Sequence, residues 1–220
     1  FIMPLIYFTI KLGFKKLFNF YLIFILICFQ GFLGWYMVQS GLVYDVDVSH
    51  FRLSIHLLFA FIILSLIFWC YLKTKTKINH ENTINLIFPL GFLFLIFLQI
   101  IIGAFVSGMD AGKIYNSWPL MGSSFFPDDN DYSNLFKLSA FSDPSLVQFI
   151  HRKLAYLIGF FYLYLLFKIY KNKMIHLYKS INIVGILILL QIVLGIFTLL
   201  YGAQILIASM HQISSIFLVT

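Results

Sequence analysis

Residues 84–106 read INLIFPLGFLFLIFLQIIIGAFV, and this stretch decides the fold class because it contains no charged residue. A helix that crosses about 30 Å of hydrocarbon needs about 20 apolar residues, and 84–106 meets that length. In a soluble protein, a helix this apolar would have to be buried on all sides. The stretch therefore predicts a transmembrane helix.

The rest of the chain is built in the same way. Of its 220 residues, 61% are hydrophobic and 10% are charged, whereas a soluble domain carries about 25% charged residues. This composition predicts an all-α polytopic membrane protein and excludes a soluble globular domain. Because the chain begins and ends inside apolar runs, we expect it to be part of a longer protein, with residues 1–12 as the end of an earlier span. The predicted spans are 17–38, 52–72, 84–106, 147–170, 181–201 and 204–220.

The charged residues are sorted between loops, and this predicts the orientation of the spans. The loops 11–16, 73–83 and 168–179 hold 10 of the 15 basic residues and a single acid, Glu81. Cytoplasmic loops of membrane proteins are rich in Lys and Arg, so these loops are predicted to be cytoplasmic. The net charge of +7 is then a topology signal, and no nucleic-acid partner is expected. The remaining acids, all in loops on the opposite side, are Asp45, Asp47, Asp110, Asp128, Asp129, Asp131 and Asp143.

A two-helix unit occurs three times along the chain. The first helix carries Gln-x-x-x-Gly near its outer end, and the second carries a histidine followed four positions later by a small residue. A glutamine inside a span is costly unless it is hydrogen-bonded. It either joins neighbouring helices or lines a polar cofactor pocket, and both interpretations stay open. The Gln/Gly pairs are Gln30/Gly34, Gln99/Gly103 and Gln191/Gly195, and the histidine pairs are His56/Ala60, His151/Ala155 and His211/Ser215.

The three histidines are predicted to lie at one depth near the outer side. Neutral imidazole is an axial ligand of haem iron, and a small residue at i+4 leaves room for a porphyrin on the same helix face. Haem ligation by His56, His151 and His211 is the favoured hypothesis, with a structural or proton-relay role as the alternative. Arg52 and Arg152 either bind haem propionates or extend to the membrane interface. Three further histidines fall in predicted loops and are interpreted as solvated or interfacial: His50, His80 and His176.

The connection 107–146, called the outer loop below, is long for a membrane protein. It contains the segments GMDAG (108–112) and YNSWPLM (115–121). Long ordered loops are often lids over a site, and Trp and Tyr favour the membrane interface. The outer loop is therefore predicted to be either a lid or an interfacial re-entrant segment.

Six stretches match one known family in order through nearly the whole chain. They are QGFLGWYMVQSGL (30–42), FRLSIHLLFAF (51–61), QIIIGAFVSGMDAGKIYNSWPLM (99–121), VQFIHRKLAY (147–156), QIVLGIFTLL (191–200) and ASMHQISS (208–215). Together they resemble haem A synthase of the proteobacterial and mitochondrial type. Two departures touch no ligand: Ala203-Gln204 stands where the family has a proline, and 141–145 replaces an Asn-rich segment.

The resemblance implies eight spans in two similar four-helix halves, each binding a haem between its second and fourth spans. Residues 1–80 would be a partial N-terminal bundle that holds the substrate haem, with His56 as its fourth-span ligand. Residues 81–220 would be the C-terminal four-helix bundle, with His151 and His211 as a ligand pair for haem b. The family's Glu-x-x-His-Arg-like motif has no counterpart in the chain, so the catalytic carboxylate is unknown here.

The resemblance also implies a function. The family oxidises a ring methyl of haem O to a formyl group, apparently by successive hydroxylations with oxygen from water, and so makes haem A for terminal oxidases. The expected cofactor is haem b, with haem O as substrate. The expected partners are the lipid membrane, haem O synthase, cytochrome oxidase assembly and a second copy of the chain. The expected location is the bacterial inner (plasma) membrane, with the haem sites toward the periplasm.

Two other classes of protein also carry histidines in membrane helices. A bis-His membrane cytochrome b would transfer electrons without synthase activity, but it would place histidine pairs in both leaflets. A transporter with a histidine proton relay would show carboxylates inside its spans, and the predicted spans contain no Asp or Glu.

Overall fold

The computed structural model describes residues 1–41, 47–75 and 84–220. Asp45, Lys77, His80 and Glu81, all predicted to lie in loops, fall outside the described residues. Within the described ranges the regular structure is helical, apart from an isolated bridge between Met121 and Ser124. The helices are α1 (Ile2–Leu12), α2 (Phe14–Gly41), α3 (His50–Lys75), α4 (Ile87–Gly108), α5 (Pro144–Lys171), α6 (Ile175–Leu200) and α7 (Ile205–Val219).

Five of these helices, α2 to α6, are long and apolar enough to cross a membrane. The shorter apolar helices are α1, with 11 residues, and α7, with 15. Large apolar side chains are exposed along all of these helices, as expected where lipid rather than protein covers them. The prediction of an all-α polytopic membrane protein is confirmed.

The helix ends differ from the predicted boundaries for local reasons. Helix α5 begins at Pro144 rather than 147, because the Asp143 carboxylate accepts a hydrogen bond from Leu146 N at 3.0 Å. Asp as N-cap and Pro at the first position are favourable at a helix start. The prediction that His50 is a loop residue is wrong, since it begins α3 and packs on the Phe51 ring. His176 is exposed, as predicted, but lies in the first turn of α6.

The chain divides into two compact units, which are described separately. Unit 1 is Phe1–Asn79 together with Thr220. In it, α1 packs on α2 and α2 packs on α3. Helices α1 and α2 are separated by Gly13, whose φ of 82° lies in the left-handed region that glycine favours. The assignment of this part to a substrate-haem half stays a prediction.

Unit 2 is His80–Val219. In it, α4 packs on α5, α5 on α6, and α6 on α7. One end of the unit has an apolar core of Leu165, Ile169 and Ile181. Helices α5 and α6 approach each other at Gly185, where any Cβ would collide with the Tyr162 hydroxyl.

The outer loop is a folded segment with a core of its own. Its short 3₁₀ helices are Ala111–Lys113, Tyr132–Phe136 and Leu138–Ser142. Asp128 accepts hydrogen bonds from the Ser123 backbone N–H at 2.7 Å and from the Ser123 hydroxyl at 2.8 Å. Gly122 adopts a φ of 83°, and a Cβ there would collide with Asp128. The apolar core joins the loop to the start of α5 and consists of Met121, Phe126, Ala140, Leu146 and Phe149.

Candidate functional site

The first copy of the two-helix unit lies between α2 and α3. The Gln30 side-chain amide donates to the backbone carbonyl of His56 at 2.9 Å, and its Nε2 lies 3.2 Å from His56 Nε2. Gly34, one turn along α2, lies against the same imidazole, and a Cβ at this position would be 3.0 Å from His56 Cε1. The glycine thus allows the ring to lie against the neighbouring helix.

The second copy, between α4 and α5, repeats this geometry. The Gln99 amide donates to the His151 carbonyl at 3.2 Å, and its Nε2 lies 3.3 Å from His151 Nε2. A Cβ at Gly103 would lie 3.1 Å from His151 Cε1. The recurrence of both contacts shows that the Gln-x-x-x-Gly pattern is a device for docking a histidine on an adjacent helix.

The third copy, between α6 and α7, keeps the glycine contact and changes the glutamine contact. A Cβ at Gly195 would lie 3.2 Å from His211 Cε1. The Gln191 amide donates to the His211 carbonyl at 3.2 Å and to the Ser214 hydroxyl at 2.6 Å. Neither bond reaches the His211 ring. Of the two interpretations left open for the glutamines, the structure shows the interhelical hydrogen bond in all three copies.

Two of the three histidines, His151 and His211, belong to unit 2. Helices α5 and α7 both carry a histidine and belong to packed pairs with α6, but they do not form a closely packed pair with each other among the described residues. The two histidine helices of unit 2 thus pack against the same helix, α6.

The surroundings of the histidines fit an axial ligand of haem. In each copy the imidazole is accommodated by a glycine whose Cβ would crowd the ring. In each, Nδ1 is buried and has no hydrogen-bond partner among the described residues. Nε2 is the nitrogen that would bind a metal, and a bond there would place the ring proton on Nδ1 and fix the tautomer.

Arg152 follows His151 directly and holds the outer loop. Its guanidinium donates to the carbonyls of Tyr115 and Ser117 at 3.0 Å and of Leu120 at 3.3 Å. Gln148, one turn earlier on α5, donates to the same Tyr115 carbonyl at 3.0 Å. The observed partners of Arg152 are thus loop carbonyls, and propionate binding by this residue stays a prediction.

Arg52 occupies a different environment in unit 1. Its guanidinium lies over the Tyr36 ring, 5.4 Å from the ring centroid. A cation–π contact of this kind uses the flat face of the guanidinium rather than its N–H groups. A propionate role for Arg52 therefore also stays a prediction.

The outer loop is fixed to α5 and to α6. Asn116 donates to the Leu199 carbonyl at 2.8 Å, at the end of α6. Asp129 accepts from Ser145 at 2.6 Å and from Tyr115 at 2.9 Å. Burial acts to raise the pKa of the Asp129 carboxyl, but the hydrogen bonds that the carboxylate accepts, those from Ser145 and Tyr115 foremost, together outweigh burial, and the pKa lies below its ordinary value. The loop is thus joined both to α5, which carries His151, and to α6, which packs on the helix of His211.

Replacing Arg152 by lysine is expected to loosen the outer loop. Lysine keeps the charge, but its compact ammonium group cannot reproduce the planar fork that reaches three carbonyls. We expect faster cleavage of the segment 115–121 in limited proteolysis, whereas Lys153→Arg, which alters the next residue, leaves the rate unchanged. Equal cleavage rates for Arg152→Lys and the parent protein would contradict the anchoring role.

Comparison with known proteins shows the family to which the chain belongs. The sequence pattern of the COX15-CtaA family, described as cytochrome oxidase assembly protein, matches residues 1–220. The chain belongs to this family. Membership and the apolar helices together identify a multi-pass membrane protein.

Similar proteins are haem A synthases. The chain is 49% identical over 219 residues to that of Pelagibacter ubique (strain HTCC1062), covering 98% of this chain and 64% of that protein. It is 41% identical over 227 residues to that of Rickettsia bellii (strain RML369-C), covering 100% of this chain and 67% of that protein. The chain thus spans about two thirds of the length of these relatives. No solved structure matches it.

Three residues that support the site, Ser214, Gln148 and Asn116, are not members of the Gln/Gly and histidine pairs of the sequence. Ser214 is three positions after His211, whereas the pattern drew attention to Ser215, whose hydroxyl donates to the Gln212 carbonyl at 2.6 Å. Gln148 and Asn116 also went unnoticed. One feature of the sequence points to Gln148: it is a polar residue near the start of a predicted span, one helical turn before Arg152. A glutamine in such a place is expected to need a hydrogen-bond partner.

Proposed function

We propose that the chain carries haem-binding sites of a haem A synthase, an oxidoreductase that converts the ring methyl of haem O to the formyl of haem A. The observation that carries the proposal is the threefold Gln/Gly/His docking, which positions one imidazole in each copy. The similarity to haem A synthases supports the same conclusion.

In unit 2, His151 and His211 are proposed to hold the iron of haem b. Two imidazole ligands favour electron transfer over oxygen binding, so haem b would supply an electron-transfer group. The protein residues hold the imidazoles: Gly103 and Gly195 give them space, and Gln99 and Gln191 tie their backbone carbonyls to the neighbouring helices. The outer loop, held by Arg152, restricts access of water from its side.

In unit 1, His56 is proposed to be a ligand to the substrate, haem O. Gln30 and Gly34 position its imidazole as in unit 2. Arg52, one turn before His56 on α3, would bind a propionate of this haem, while Tyr36 holds the guanidinium from its other face. The catalytic carboxylate is not assigned to any residue of the chain.

The location and partners follow from the same proposal. The lysine-rich loops face the cytoplasm and the outer loop faces the periplasm, in the bacterial inner membrane. Haem O synthase would supply the substrate, and the product would be delivered to cytochrome oxidase assembly. The exposed apolar helix faces would contact lipid and, in a homo-oligomer, a second copy of the chain.

The test is production of the complete protein in a host that makes haem O and no haem A. Extraction and chromatography of the haems are expected to show haem A with the parent protein and none with His56→Ala. His80→Ala, which replaces a histidine of a predicted loop, is the control and is expected to keep the activity. Bound haem without any haem A in the parent protein would instead support an electron-transferring cytochrome b.

A further inference from the structure

The two histidines of unit 2 differ in the hydrogen bonds that they form with their glutamines. Gln99 Nε2 lies 3.3 Å from His151 Nε2, whereas the Gln191 amide donates to the Ser214 hydroxyl and the His211 carbonyl. Both glutamines keep the bond to the backbone carbonyl of their histidine. The difference is therefore confined to the imidazole nitrogen.

A single residue explains this difference. The position three after the histidine is Leu154 in the second copy and Ser214 in the third. Ser214 is buried, and its hydroxyl donates to the His211 carbonyl at 3.0 Å. Its oxygen is then free to accept the Gln191 amide at 2.6 Å. Leu154 has no acceptor, so the Gln99 amide turns to the imidazole instead.

The hydrogen bond between Gln99 Nε2 and His151 Nε2 can have only one direction. An amide nitrogen donates hydrogen bonds and does not accept them, so Nε2 of His151 must be the acceptor. Nε2 of a neutral imidazole has one lone pair in the ring plane, and an iron bond through Nε2 uses that same lone pair. The Gln99 bond and an iron bond at this nitrogen therefore exclude each other.

We propose that Ser214 leaves Nε2 of His211 open to haem iron while Gln99 occupies Nε2 of His151, so that His211 is the first axial ligand to engage haem. The inference rests on the proposed function, in which both residues ligate one haem. His151 follows as the second ligand when the Gln99 amide leaves the ring. The bond from Gln99 to the His151 carbonyl remains and keeps the helix pair docked during this exchange.

The experiment measures each histidine alone. All variants carry His56→Ala, so that the first unit does not contribute, and the purified apoprotein is titrated with hemin in detergent. His151→Ala leaves only His211, and His211→Ala leaves only His151. We expect hemin to bind the His151→Ala protein about threefold to tenfold more tightly, which corresponds to one net hydrogen bond.

Two substitutions test the cause of the asymmetry. Ser214→Ala in the His151→Ala protein is expected to weaken hemin binding by about threefold to tenfold, because the Gln191 amide would then turn to the ring. Gln99→Leu in the His211→Ala protein is expected to strengthen binding by a similar factor. The matched control is Ser215→Ala in the His151→Ala protein, which replaces the adjacent serine by the residue that the second copy has at this position, Ala155. It removes only a bond to the Gln212 carbonyl and is expected to leave hemin affinity unchanged.

Several outcomes would overturn the proposal. If Gln99→Leu weakens hemin binding with helical content intact, Gln99 orients His151 for iron rather than competing with it. If Ser214→Ala has no effect, the serine does not control access to His211. A hemin affinity that is the same with both histidines, with either one and with neither would refute haem ligation itself, and with it the proposed function.

Discussion

Alanine at either His151 or His211 is expected to abolish the six-coordinate haem spectrum of unit 2. A bis-imidazole haem needs both axial bonds, and each variant removes one of the two imidazoles that are proposed to supply them. Because even residues that only support a ligand change metal affinity by about 10- to 100-fold, loss of a ligand should weaken haem binding by about a hundredfold or more. Visible spectra of the purified protein, again with His56→Ala present, provide the measurement.

The control for this experiment is His176→Ala. His176 is exposed in the first turn of α6, far in sequence from the predicted ligands. The His176→Ala variant is expected to keep the six-coordinate haem spectrum. Circular dichroism checks that all variants keep their helices. An unchanged six-coordinate spectrum in either ligand variant would show that the remaining histidine finds another partner and that the pair is wrongly assigned.

Leucine at Gly103 is expected to disrupt the same haem site without removing a ligand. Even a Cβ at this position would lie 3.1 Å from His151 Cε1, so the larger side chain must displace the imidazole. Overpacking of this kind typically costs about 1–3 kcal/mol of stability, and the displaced ring can no longer reach iron. We expect loss of the six-coordinate spectrum and a lower melting temperature.

Gly159→Leu is the matched control for this substitution. Gly159 lies on α5, the helix of His151, and a Cβ there meets no other atom within 4 Å. Its haem spectrum is expected to equal that of the parent protein. Gly103→Ala should fall between the two, because a methyl group requires the ring to shift by only a few tenths of an ångström. Equal spectra for Gly103→Leu and Gly159→Leu would refute the role of the glycine as a cradle for the imidazole.

Much of the fold was predictable because hydrophobicity and length are properties of short stretches. Each apolar run predicted from composition is a helix in the described residues, as the stretch 84–106 illustrates with α4 (Ile87–Gly108). Helix ends were predicted less well. The start of α5 depends on Asp143 as N-cap and Pro144 as first residue. A charged residue and a proline interrupt an apolar run, so hydrophobicity alone places the start of the helix too late.

The sequence by itself determined the helices and the threefold repeat, in which a helix with Gln-x-x-x-Gly is followed by a helix with a histidine. These are set by the spacing of residues along helices, and a helix converts spacing into a common face. Only the tertiary structure decided the individual partners of Arg152, Gln99 and Gln191. Arg152 meets carbonyls 32 to 37 positions away, and Ser214 rather than Ser215 meets Gln191. Such contacts depend on how two helices or a loop and a helix are placed, and sequence spacing does not specify that placement.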